Sequence, residues 1–211
     1  MLHPLRLIVC LLLVFAAVSV GCQAGSRSSP RATKATPAVP VAAQVRAEEL
    51  NEQGKTLKKE GFTSQALESF SEAVDENPKL TEAHLAIGDI FRERGVYEQA
   101  DAAYRKAVVS DPNNFDARYL LGLTNHLRGD LARAISSYKR ALVINNDSFE
   151  ANRDMGSAIM QSGKPKDAIK FAKRAVELNA ESQAGWANLA AAYSLTGDYE
   201  NAVQAYRQTL E

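Results

Sequence analysis

Five side chains could bring nucleophilic or metal-ligating chemistry to this 211-residue chain: the thiols of Cys10 and Cys22 and the imidazoles of His3, His84 and His126. The histidines are far apart in sequence and no cysteine pair stands beside them, so the ligand spacing of a metal site is missing. Acidic and hydroxyl residues are plentiful, yet no pattern pairs them into a nucleophile with its base. The chain has no phosphate loop, nucleophile elbow or dinucleotide fingerprint, and no room for a separate catalytic domain beside its repeats. The expectation is a protein that is not an enzyme and uses neither metal nor cofactor.

One thiol does have an informative setting. Arg6 precedes the apolar run from Leu7 to Val20, interrupted only by Ser19, and Gly21 and Cys22 follow at once. A charged start, an apolar centre and a small residue at the break form the order of a secretory signal. The run is also shorter than the roughly 20 residues a spanning helix needs. Val18-Ser19-Val20-Gly21-Cys22 resembles the lipobox of bacterial lipoproteins. The resemblance implies a signal peptide over 1–21 and a lipidated Cys22 as the first mature residue. It also implies a chain tethered to a membrane in the bacterial cell envelope. Gln23 after the cysteine implies the outer membrane, on its periplasmic face, where the host has two membranes. Cys10 would leave with the signal, so no internal disulfide could form. The alternative is an uncleaved anchor with Cys22 an ordinary residue.

From 22 to 46 the composition shifts to Ser, Pro, Ala, Thr and Gly, including Pro30, Pro37 and Pro40. Such a segment cannot bury enough apolar area to offset its ordering entropy, so it reads as a flexible, disordered linker. Over the whole chain 25 basic residues balance 25 acidic ones, and no dense basic stripe appears in the repeats. Nucleic-acid binding depends largely on phosphate neutralisation and is therefore disfavoured.

What must position any functional side chain is a repeat. Gly61, Gly95, Gly129, Gly163 and Gly197 fall 34 residues apart, and Ala66, Ala100, Ala134, Ala168 and Ala202 follow each by five. The register divides the chain into 47–80, 81–114, 115–148, 149–182 and 183–211. Its eighth column is small (Gly54, Gly88, Gly122, Gly156, Ala190). Its twenty-fourth is Phe70, Tyr104, Tyr138, Ala172 and Tyr206. Each unit reads as two helices, with the period-marking glycine as the left-handed residue that ends the first. Asn77-Pro78 and Asp111-Pro112 stop the second helix, because proline disfavours helical geometry in the residue before it. Asn145-Asn146 and Asn179-Ala180 look less decisive. Pro165 should sit in the first turn of a helix, where proline is tolerated.

These columns resemble the tetratricopeptide repeat over residues 47–211. The resemblance implies an all-α fold, a superhelix of about five helix-turn-helix repeats whose first helices line a concave groove. Two departures stand out. The fourth column is Leu50, His84, Arg118, Asn152 and Trp186, so the middle repeats lack the usual bulky apolar residue. The eleventh contains Asn125, which needs hydrogen-bond partners if buried.

By the same resemblance the groove would be lined by Asn51, Lys55 and Lys58 in the first repeat and by Leu85, Asp89 and Arg92 in the second. The third would offer Tyr119, Leu123, His126 and Leu127, and the fourth Arg153, Ser157 and Met160. A mixed, partly basic entrance leading to an apolar middle suits an extended peptide with hydrophobic anchors. Asn51, Lys55 and Asp89 do not reproduce the clamp that some relatives use for chaperone tails. The sixth column (Glu52, Ala86, Leu120, Asp154, Asn188) lacks the asparagine ladder of protein O-linked glycosyltransferases. The expected function is a membrane-tethered scaffold that binds a protein or extended peptide in assembly of an envelope complex, such as pilus, secretion or cell-wall machinery. The alternatives are a non-catalytic adaptor or the truncated repeat region of an enzyme such as a protein O-linked glycosyltransferase. The fifth repeat shows no obvious polar capping helix, which leaves two expectations, self-association through Tyr193, Tyr206 and Leu210 or a truncated sequence.

Overall fold

A computed structural model describes residues 39–210; the apolar N-terminal segment, Cys22 and most of the linker lie outside them. The described residues form ten α-helices and no strand: α1 Val41–Lys59, α2 Thr63–Glu76, α3 Thr81–Glu93, α4 Tyr97–Ser110, α5 Phe115–Leu127, α6 Leu131–Ile144, α7 Phe149–Gln161, α8 Pro165–Leu178, α9 Gln183–Thr196 and α10 Tyr199–Arg207. One boundary differs from the sequence expectation. The helix α1 starts at Val41, so residues 41–46, assigned above to the linker, are helical, with Pro40 before them. Among the described residues no helix is long and apolar enough to cross a membrane.

All five period-marking glycines have positive φ, between 74° and 88°. Each closes a Schellman turn, as where Gly61 N–H donates to Lys58 O and Phe62 N–H to Leu57 O. The other four turns repeat this pair of bonds, from Gly95 and Val96 through to Gly197 and Asp198. Left-handed geometry costs a side-chain-bearing residue about 1–2 kcal/mol, which explains the column.

The fold of each pair is set by a glycine-to-ring contact. Phe70, Tyr104 and Tyr138 are fully buried, and a Cβ on Gly54, Gly88 or Gly122 would come within 2.5 to 2.7 Å of the facing ring. The fourth repeat has Ala172 in the ring column, and there a Cβ on Gly156 would meet nothing closer than 3.5 Å. The alanines at 66, 73, 100, 107, 134, 141, 168 and 175 are likewise buried, and they let neighbouring helices approach closely.

Each helix packs on those that flank it in the chain, and first helices of successive pairs also meet: α1 with α3, α5 with α7, α7 with α9. Closer spacing of first helices curves the stack towards them, which makes theirs the concave face.

Two features of the turns between pairs were not apparent in sequence. The second helices end at Asn77, Asp111, Asn145 and Asn179, and each side chain accepts the backbone N–H two residues on, at 3.0 to 3.2 Å. The Asx turn, not the proline, is the shared stop, and the two turns without proline are built the same way. The fourth column is not a set of missing packing residues either. His84 Nε2 donates to Pro78 O (3.0 Å), Arg118 Nε to Pro112 O (2.7 Å), Asn152 Nδ2 to Asn146 O (2.9 Å) and Trp186 Nε1 to Ala180 O (2.7 Å). Four different side chains thus satisfy the same turn carbonyl, six residues upstream.

Asn125 is buried at 1 % exposure, and its Nδ2 donates to Asp101 Oδ1 (3.1 Å) and Leu121 O (2.8 Å). Its Oδ1 is buried and meets no donor among the described residues.

Candidate functional site

The concave face has two chemically different halves. Where α1 meets α3, its charges close on one another. Lys55 Nζ donates to Glu52 and to Glu82, both at 2.7 Å, and Lys58 Nζ to Glu93 at 3.1 Å. The hydrogen bonds to Glu52 and then Glu82 hold the Lys55 ammonium above its ordinary value, and the bond from Lys55 holds the Glu82 carboxyl below its own. Asn51 is buried here, its amide donating to Glu82 at 3.2 Å, which removes it from the open face.

On α3, Leu85 is half-buried, and Asp89 accepts from Tyr104 Oη (2.7 Å) while Arg92 Nε donates to the same hydroxyl (3.3 Å). Burial, then Asp89, pushes the Tyr104 phenol up. These charges too are engaged with each other, so the basic entrance expected from the sequence is largely neutralised from within.

Between α5 and α7 the face turns apolar. Tyr119, Leu123 and Met160 lie half-buried against Tyr138, Met155 and Ile159. Phe115 stacks on Tyr119 with ring centres 5.9 Å apart, and His126 meets Tyr138 edge-on at 6.2 Å. Tyr119 Oη donates to Asp154 Oδ2 (2.8 Å), and Arg153 Nε donates to Asp154 Oδ1 (2.8 Å) while its guanidinium lies 5.5 Å from the centre of the Phe149 ring. Burial, then the Asp154 charge, raises the Tyr119 phenol, which stays a donor at neutral pH. Ser157 accepts from Gln161 (3.2 Å), and Asn188 of α9 donates to Arg153 O (3.4 Å).

Tyr138 carries a buried hydroxyl with no partner among the described residues. Tyr104, one repeat earlier, bonds Asp89 in the ninth column, but that column holds Leu123 here. The third repeat has exchanged a polar cap for an apolar surface.

The structure therefore gathers Tyr119, Leu123, His126, Arg153, Ser157 and Met160 around one ledge, and leaves Lys55, Asp89 and Arg92 in a separate, self-paired half. Phe115, Phe149, Tyr138 and Asp154 belong to the ledge and were missed. A signal existed for three of them. Phe115 and Phe149 open their repeats, and Asp154 sits in the sixth column, whose members reach the fifth column of the repeat before. No three His, Cys, Asp or Glu side chains among the described residues converge as a metal set. The chemistry on offer is recognition through apolar contact and a few oriented polar groups.

A tetratricopeptide repeat family model matches residues 51–114 and again 85–149, a second matches 126–193 and a third 186–211. The chain is a tetratricopeptide repeat protein. Among solved structures, this tetratricopeptide repeat chain is similar to MamA protein at 21% identity and a TM-score of 0.74, over 78% of this chain and 90% of that one. It is similar to YrrB, described as a TPR protein with an unusual peptide-binding site, at 17% identity and a TM-score of 0.70, over 82% and 92%. Pseudomonas aeruginosa PilF matches at 20% identity and 0.68, over 80% of this chain and 77% of that one. At these identities the likeness is one of fold. No curated protein matches the sequence.

Proposed function

We propose that this protein is a non-catalytic scaffold that holds an extended segment of a partner protein on the ledge between α5 and α7. The observation that carries this reading is the ledge itself. Tyr119, Leu123 and Met160 present half-buried apolar surface on a face whose charges are elsewhere paired off. An extended peptide would place hydrophobic side chains there, with the Tyr119–Asp154–Arg153 group fixing the register beside them. The similarity in fold to YrrB, with its peptide-binding site, supports the class of ligand.

The finer reading is that Cys22 is lipidated and tethers the repeats to the bacterial envelope, where the partner belongs to a pilus, secretion or cell-wall assembly. It rests on the lipobox-like residues Val18 to Cys22. The test is proximity cross-linking from membranes with the native chain and with a Tyr119→Ala, Leu123→Ala, Met160→Ala variant. Loss of one envelope protein from the variant supports the reading, and an unchanged captured set contradicts it.

A second surface favours self-association. Leu195, Tyr199, Val203, Tyr206 and Leu210 are exposed at the α9–α10 end. Size-exclusion of a Tyr206→Glu, Leu210→Glu variant tests this, and a dimer that survives both changes rules it out.

A further inference from the structure

The second helices carry a feature that the balanced charge of the chain conceals. A cavity of about 390 Å³ opens between α4, α5 and α6, lined by Arg105, Arg118, Arg133 and Arg140 with Ser136 and Ser137. No carboxylate lines it. A smaller cavity of about 290 Å³ adjoins it through Arg118 and Arg140. No dense basic stripe is visible in the linear sequence because these arginines come from three helices.

Two of the four cations are neutralised locally. Arg105 pairs with Asp101 at 2.6 Å and Arg133 with Asp130 at 3.2 Å. The other two have no carboxylate partner among the described residues. Arg118 spends Nε on the Pro112 carbonyl and keeps its terminal nitrogens free of any bond, and Arg140 makes no hydrogen bond or ion pair among the described residues. Guanidiniums gathered without a counter-charge repel one another, and an anion placed among them relieves that repulsion.

The remaining lining narrows the chemistry. Besides the arginines and serines the wall is apolar, formed by Val108, Val109 and Leu121, with Asn125 buried behind it. Val109 borders the first cavity and Val143 the second, and they are 81 % and 82 % exposed. A carboxylate can engage one guanidinium fork. A phosphate carries about −1.5 to −2 charges and three acceptor oxygens, enough to span several.

We propose that the α4–α5–α6 cleft binds a phosphate group whose attached apolar portion lies over Val109 and Val143. A phospholipid headgroup and a free phosphorylated small molecule share this chemistry. The cleft shares α5 with the peptide ledge but meets it through Arg118, Leu121 and Asn125 rather than Tyr119, Leu123 and His126, so no lining residue is common to the two.

The test uses the full chain, its helix content checked by circular dichroism, with two probes: glycerol 3-phosphate by calorimetry, and phosphatidylcholine vesicles with or without phosphatidic acid. Binding is expected to weaken about tenfold or more in Arg140→Glu and to stay within about twofold of the native chain in Lys59→Glu, a remote charge control. Ser137→Asp adds a carboxylate to the same wall and serves should Arg140→Glu lose helix content. Arg140-dependent binding of glycerol 3-phosphate, with no preference for phosphatidic acid vesicles, identifies a free ligand. Arg140-dependent retention on phosphatidic acid vesicles alone identifies a headgroup. The proposal is overturned if neither probe responds to either cleft variant, if Lys59→Glu has the same effect, or if citrate binds as tightly as glycerol 3-phosphate.

Discussion

The hydroxyl of Tyr119 donates to the carboxylate of Asp154 over 2.8 Å, joining residues 35 positions apart and fastening the third repeat to the fourth beside the apolar ledge. Removing the hydroxyl leaves Asp154 with Arg153 as its remaining partner. Tyr119→Phe should therefore cost about 1.5 kcal/mol, the low end for a bond to a charged group, as a lowered urea midpoint. The ring stays stacked on Phe115, so partner capture should survive Tyr119→Phe and fail in Tyr119→Ala.

Gly88 and Gly156 occupy the same column but face different neighbours. A Cβ on Gly88 would stand 2.5 Å from the Tyr104 ring, whereas on Gly156 it would be at ordinary contact distance from Ala172. Gly88→Ala should destabilise by about 1–3 kcal/mol through overpacking. Gly156→Ala should be neutral or gain up to about 1 kcal/mol from helix propensity. Equal effects on the urea midpoint would mean that the ring contact does not set the column.

His84 is buried, and its Nε2 must carry hydrogen because the Pro78 carbonyl can only accept. Burial lowers its pKa, the carbonyl bond opposes that, and Lys106 adds to it. The unfolded chain thus takes up a proton before the folded one. Stability contributed by neutral His84 is full above about pH 6.5 and falls as pH drops from there towards the folded value. Asn152 makes the same bond with a group that does not titrate. Urea midpoints at about pH 7.5 and 5.5 should therefore differ less in His84→Asn than in the native chain, and equal differences would contradict this assignment.

The fold was legible because its columns are steric. A positive φ needs glycine and a ring needs a gap opposite it; the first demand recurs at all five periods and the second in the first three. Hydrogen-bonding columns were harder to see. His84, Arg118, Asn152 and Trp186 share no size or charge, only a donor at the right reach, and so looked like substitutions away from a packing residue. The Asx turns hid behind the two prolines that follow them. At the ledge, Tyr119, Leu123 and Met160 followed from register, but Lys55 and Arg92 looked available because their partners, Glu82 and Tyr104, lie on other helices. The same separation in sequence concealed the arginines of the α4–α6 cleft.

The most direct test of partner binding is site-specific photo-cross-linking in intact cells, with the reactive side chain at Leu123 on the concave ledge or at Val143 on the opposite helices. A single protein adduct is expected from position 123, abolished by Met160→Ala with Tyr119→Ala, and none from position 143. Protein adducts at 143 with none at 123 would contradict the concave ledge as the binding surface.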